Sequence, residues 1–366
     1  MDLRTILLSF LMVSSAEASV RPTPSVIYGE DNRVESLEVR NPKLIEAAFS
    51  VAALVPFYDL YESNEAPDSE QSLEEQLQSV RGKVDEQTYN FLLELLKASR
   101  EEGKRESDEM NSDDNSKDDL VLKDIDKKMS NAALLRYHLS RILATKKHEP
   151  FYEFDQSRTP VSEFNICPSE KFSTQPILSM CTGFLVGKDK LVTAGHCIRS
   201  KQDCEDGVWV FEYFNGVKNI QSKNIYRCQK ILSRKETDLF FGKDYAIIKL
   251  EREVTGRKPL KISKDRIKKK KNVAVIGHPL GLPMKTAVGE VTSSWFGPNL
   301  KTNLDTFVGN SGSPVLDTES GEVIGILVGG AEDFPSQSNG QCIENNRIYS
   351  KKGREKVMKI SSVPGL

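Results

Sequence analysis

Two glycines bracket a serine in the hexapeptide Gly309-Asn310-Ser311-Gly312-Ser313-Pro314, a spelling that few backbones accept. It predicts a tight loop with the Ser311 hydroxyl on its outside and the amides of Gly309 and Ser311 beside it. A serine hydroxyl is a weak nucleophile until a neighbouring base takes its proton, and the oxyanion then formed must be met by fixed N–H donors. Upstream, the apolar strand Leu191-Val192-Thr193-Ala194-Gly195-His196-Cys197 ends in a histidine, the base such a serine requires. Between them, Asp244-Tyr245-Ala246-Ile247-Ile248-Lys249-Leu250 puts a carboxylate at the head of a buried strand, where it can orient the imidazole and stabilise its protonated form. Glycine-serine turns are common, and a lone histidine beside a strand is more often structural. The information lies in the combination and its order: His, Asp, Ser.

With this order and these flanks the region resembles the trypsin-like (chymotrypsin-fold) serine peptidases, whose signatures read T-A-A-H-C and G-D-S-G-G-P. The G-N-S-G-S-P form and the run Gly321-Glu322-Val323-Ile324-Gly325-Ile326 are closer to the bacterial branch typified by staphylococcal glutamyl endopeptidase. The resemblance implies a mainly β, two-barrel antiparallel fold and a serine endopeptidase acting on proteins or peptides without a cofactor. It implies His196 as general base, Asp244 as orienting acid, Ser311 as nucleophile and the amides of Gly309 and Ser311 as the oxyanion hole. Ser25 to Arg33, a short strand and a polar turn, is similar to the mature amino terminus of that branch, although a long insertion follows here.

Six cysteines, Cys167, Cys181, Cys197, Cys204, Cys228 and Cys342, all fall in the last two hundred residues. An even count with no Cys-x-x-Cys pair and only four histidines reads as disulfides, and no metal site is expected. Phe184-Leu185-Val186 and Leu191-Val192-Thr193 read as a hairpin turning at Gly187 to Lys190, which sets Cys181 and Cys197 across its open end. Closing a loop of ~15 residues is worth roughly 3 kcal/mol in the chain-entropy model. Trypsin-like enzymes commonly carry this bridge. The pairing of the other four stays open in sequence, with Cys204 to Cys228 and Cys167 to Cys342 as the working guess.

A chain of 366 residues has room for one sizeable barrel domain and a smaller appendage. Its formal net charge of -2 gives no global field pointing to nucleic acid or membrane. Residues 1–18 read as a secretory signal, with Arg4, an apolar core from Thr5 to Val13 and a small-x-small site at Ala16-Glu17-Ala18. A membrane anchor needs about 20 apolar residues, and this stretch has about half that, so the expectation is an exported protein, secreted or periplasmic, without a stable membrane anchor. Residues 19–60 are expected to join the barrel, with a helix start at Asn41-Pro42-Lys43 and an apolar run from Phe49 to Phe57 that is a candidate first barrel strand, although its period alone does not separate helix from strand. Residues 61–150 read as a helical hairpin insertion, with amphipathic helices over Asp85 to Ser99 and Leu120 to Thr145 and an acidic linker between. The protease domain is expected over 151–366, with strands at Asp203 to Phe214, Asn224 to Ser233 and Asp244 to Leu250.

His278, at the end of Val273 to Gly277, is a rival base without the strand-and-cysteine setting of His196. Ser294 and Ser313 are rival nucleophiles without a comparable loop. The basic run Lys268 to Lys271 reads as a solvated edge guarding the strand that follows it. The α/β-hydrolase esterases also use a glycine-flanked serine, but their histidine follows the serine. The competing reading from another class is a non-catalytic binding module on a protease-like scaffold, with the helical insertion as its working part or as a regulator.

In trypsin-like enzymes the residue six before the nucleophile sets the base of the primary pocket. Here it is Asp305, beside Thr306, so the resemblance implies cleavage after Arg or Lys. The glutamate-specific relatives use a histidine on the strand after the nucleophile, where this chain has Leu327. The residue immediately before the nucleophile is Asn310, which excludes the aspartate ion pair that switches on animal zymogens.

Overall fold

The structure, a computed structural model, describes residues 27–63, 151–237, 242–294, 297–330, 342–348 and 353–366. The signal segment and both helices expected between 61 and 150 lie outside the described residues.

Strands β1 (Ile27–Tyr28) and β2 (Val34–Glu35) come first. Helix α1 (Pro42–Ala48) starts where Asn41 accepts the Lys43 N–H and Pro42 occupies a first-turn position. It leads into β3 (Val51–Pro56), every residue of which is buried. Ala52 and Leu54 pack with Leu191 and Trp209, while Val51, Ala53 and Val55 pack with Ile276 and Ile326. A strand covered on both faces has no period-two alternation, so its sequence cannot be told from a buried helix. Next, β4 (Tyr61–Ser63) lies antiparallel to β5 (Phe151–Glu153), with Ser63 opposite Phe151.

After the short helix α2 (Pro160–Phe164) come β6 (Cys181–Leu185) and β7 (Lys190–Thr193), the expected hairpin. Helix α3 (Lys201–Asp206) precedes β8 (Gly207–Phe211), which corrects the strand expected from Asp203. Ser200 and Asp203 form a capping box that starts a helix there. β9 (Asn219–Gln221) pairs with β5, and β10 (Ile225–Glu236) and β11 (Asp244–Leu250) complete this half. The order β10-β11-β7-β6-β3-β8 closes into a barrel.

The second half comprises β12 (Asn272–Gly277), β13 (Lys285–Ser293), β14 (Asn299–Thr302), β15 (Pro314–Asp317), β16 (Val323–Gly329), β17 (Arg347–Ile348) and β18 (Glu355–Lys359). The order β12-β15-β16-β18-β14-β13, with β13 pairing back to β12, makes a second six-stranded antiparallel barrel. The amino-terminal segment is laid on it, β2 against β13 and β1 parallel to β17. Val273, Val275, Leu300, Val315 and Val357 pack in a core of this half, whereas Ala274, Ile276, Ile326 and Met358 join the cluster shared with the first barrel. The fold is thus the mainly β, two-barrel architecture expected. Cysteines pair as Cys181–Cys197, Cys204–Cys228 and Cys167–Cys342, and none of the six is free.

Candidate active site

β7 and β11 run antiparallel with Thr193 opposite Ala246, so the turn after β7 adjoins the start of β11. That turn is Gly195–Cys197, and its cysteine is bonded back to the first residue of β6. Asp244 uses both oxygens on one residue. Oδ1 accepts the His196 main-chain N–H at 3.0 Å, and Oδ2 lies 2.7 Å from His196 Nδ1. A carboxylate partner makes Nδ1 the protonated nitrogen and leaves Nε2 as the basic one. The Asp244 N–H itself donates to Met358 Sδ at 3.2 Å, which anchors the carboxylate to the second barrel. His196 and Asp244 keep 24% and 14% of their side chains exposed, so the pair is reachable.

Ser311 comes from the second barrel and is pinned to the first by its backbone. Its carbonyl accepts the Thr182 N–H at 2.8 Å and lies 3.6 Å from Cys197 Sγ, a contact to the residue after His196. The Thr182 hydroxyl donates to the Gly309 carbonyl at 2.8 Å, and the Thr193 hydroxyl donates to the Thr182 carbonyl at 2.7 Å. Both bracketing glycines have left-handed backbones, Gly309 at φ +95 and Gly312 at φ +88. A Cβ on Gly312 would strike the Thr182 carbonyl and the Thr193 hydroxyl, and one on Gly309 would strike the His278 carbonyl. Of the loop amides, Asn310 donates to Phe307, Gly312 to Leu327 and Ser313 to Asn310. Those of Gly309 and Ser311 donate to no group among the described residues, leaving two N–H groups beside a half-buried serine hydroxyl. Thr182 and Thr193 were not singled out in sequence, where a threonine in a strand carries no signal for such a role.

The rivals sit elsewhere. His278 has no exposed surface, and its Nδ1 donates to the Leu282 carbonyl at 3.0 Å. Ser313 is fully buried and donates to Asn310 Oδ1 at 3.4 Å, while Ser294 donates to the Ile267 carbonyl at 2.9 Å. Cys181, His196 and Cys197 lie together, but the two sulfurs are bonded to each other and form no metal ligand set.

The carboxylate of Asp305 is engaged by the amino-terminal segment. It is buried, Oδ1 accepts the Tyr28 N–H at 2.7 Å, and Oδ2 accepts the Asn32 N–H at 3.0 Å. Burial pushes its carboxyl up to about 6, opposed in part by those two donors. Its carboxylate therefore ties the amino-terminal segment to the loop before Ser311. Thr306, also buried, donates to Glu355, and the Tyr28 hydroxyl donates to the other oxygen of that carboxylate at 3.0 Å. Glu355 lies against Gly330, just past the end of β16. Counting back from Ser311 finds Thr306 but not Glu355, which lies 44 positions past Ser311 and arrives through the pairing of β18 with β16.

Residues 181–326 match the family described as trypsin-like peptidase domain. No curated protein matches the sequence. Among solved structures, the active form of the Rv3671c protease from M. tuberculosis is similar at 18% identity and a TM-score of 0.35, over 50% of this chain and 70% of that one. A serine endoprotease from Yersinia pestis is similar at 18% identity and a TM-score of 0.34, over 50% of this chain and 53% of that one.

Proposed function

From a trypsin-like serine peptidase domain over residues 181–326, we infer that this chain is an exported serine endopeptidase whose catalytic residues are Ser311, His196 and Asp244. Ser311 Oγ attacks the peptide carbonyl while its proton passes to His196 Nε2, and the oxyanion is met by the amides of Gly309 and Ser311. His196 then hands that proton to the leaving amine, and water repeats the sequence on the acyl-enzyme. Asp244 holds the imidazole and stabilises its cation. The observation that carries this reading is the two-oxygen grip of Asp244 on the ring and main chain of His196. Ser311→Ala is expected to lower peptide turnover by about 10⁴- to 10⁶-fold with the fold intact. Retention of most of the activity would remove the assignment, as would failure of a fluorophosphonate to label Ser311 in the folded protein.

Export is supported by the signal-like residues 1–18 and by three disulfides. Among the described residues no helix is long and apolar enough to cross a membrane. Kinship with the glutamyl endopeptidase branch rests on the Gly309 to Pro314 and Gly321 to Ile326 runs and on the Ser25 to Arg33 start. We further propose that the insertion over residues 61–150, or its removal, governs access to the cleft. Unchanged kinetics and inhibitor binding after its deletion would discard that role.

For the residue before the cut we propose Arg or Lys, with Glu355 in place of Asp305 as the carboxylate that meets the cation. The support is the bond from Thr306 and the position of Glu355 against Gly330. A buried carboxylate gains more from an entering cation than from a neutral side chain. In a peptide-library digest Glu355→Gln should remove the basic preference, and Asp305→Ser should leave it in place. A dominant preference of the wild-type protein for Glu or large apolar residues would overturn the assignment.

A further inference from the structure

The peptide bond between Gly195 and His196 is gripped on both edges. Its N–H donates to Asp244 Oδ1 at 3.0 Å, and its carbonyl accepts from Arg234 Nε at 2.8 Å. Arg234 stands on β10 opposite Ala246, two residues beyond Asp244 on β11. Its guanidinium is also bonded to Glu236, which faces Asp244 across the same ladder and reaches Arg199 at 3.3 Å on its other oxygen. Arg199 lies just past Cys197, so the histidine turn is held at both ends by one charged cluster.

We propose that Arg234 is a positioning residue for the peptidase reaction, fixing His196 through the Gly195 carbonyl; this rests on the triad reading above. A cation on the carbonyl polarises the amide and makes its N–H a better donor to the carboxylate opposite. Arg234 and Asp244 thus stabilise each other through one peptide plane. The His196 Cα lies in that plane, so holding the plane sets the direction from which the imidazole hangs toward Asp244 Oδ2. Glu236 keeps the guanidinium from swinging into solvent. Arg234 acts through the histidine turn and not on the substrate, so its loss falls on turnover and spares substrate binding. A displacement of about 1 Å in a reacting group is enough to cost roughly 100-fold in rate.

Steady-state kinetics of Arg234→Ala on a peptide substrate, with the melting temperature followed in parallel, tests the proposal. The expected result is a fall in kcat of about 10- to 100-fold with KM within about twofold. The Arg234 side chain is 26% exposed, so a small cation can reach its place. Millimolar guanidinium should restore part of the lost kcat, and sodium chloride at equal ionic strength should not. Wild-type kcat in folded R234A, or a loss that guanidinium leaves untouched, overturns the proposal. If R234A does not fold, Glu236→Gln decides: a several-fold lower kcat at unchanged KM supports it, and wild-type kcat overturns it. Ser311→Ala run alongside separates the two readings. Activity surviving there removes the triad and the clamp together, whereas an inactive S311A beside a fully active R234A removes the clamp alone.

Discussion

The imidazole of His278 stacks on Tyr213 with ring centroids 5.7 Å apart, and its Nε2 is buried with no hydrogen-bond partner among the described residues. Desolvation pushes its pKa down to about 3, against the bond to Leu282 and with help from the nearby Lys285 cation. In the unfolded chain the same ring titrates near its ordinary value of about 6.5. As pH falls from about 6.5 towards 3, the unfolded state takes up a proton that the folded state refuses, so stability is lost on acidification through this window. Asp305 has the opposite sign. Its folded pKa of about 6 lies above the usual carboxylate value, so the folded state binds the extra proton and stability falls as pH rises from about 4 to 6. Only a difference measurement isolates one of them. His278→Asn keeps a donor near the Nδ1 position and cannot titrate. It is expected to be less stable than wild type at pH 7, with a gap that narrows as urea unfolding is repeated down to pH 4. A gap that stays constant would show that His278 titrates alike in both states.

At the scale of elements, the Ser311 loop depends on its fit against the first barrel. Gly312→Ala would force a Cβ into the Thr182 carbonyl at a left-handed backbone, so it is expected to lose more than about 2 kcal/mol of stability and to weaken fluorophosphonate labelling of Ser311 with it. Wild-type stability by chemical denaturation would contradict that packing. Elements with one clear physical signature were legible in sequence. β11 begins and ends where an apolar run headed by Asp244 does, and α1 starts at its Asn-Pro cap. Two others were hidden for different reasons. Burial on both faces erased the alternation of β3, and the Ser200 to Asp203 capping box was outweighed by the β-rich Val208 to Phe211 run beside it. His196 and Asp244 are brought into contact and the Ser311 backbone is pinned to Thr182 and Cys197, because each lies beside a strand whose pairing is local or strongly patterned. The direction of Asp305 was out of reach. It is decided by the main chain of Tyr28 and Asn32, 277 and 273 positions away, and no local count of residues contains them.

For the whole molecule, the pairing of Ser63 with Phe151 sets the two residues that flank 64–150 side by side. Residues 27–63 nevertheless supply β3, which sits between β6 and β8 in the middle of a closed barrel, and no cysteine precedes Cys167. A single backbone cut anywhere between 64 and 150 therefore makes a heterodimer with no covalent link, in which one partner donates the strand that completes the other. Such a nicked protein is expected to run as one particle on gel filtration and as two bands on a denaturing gel, with or without reductant. Two particles at micromolar concentration would contradict it. Closure of the first barrel then becomes a bimolecular association, so the melting temperature, fixed in the intact chain, would fall with every dilution.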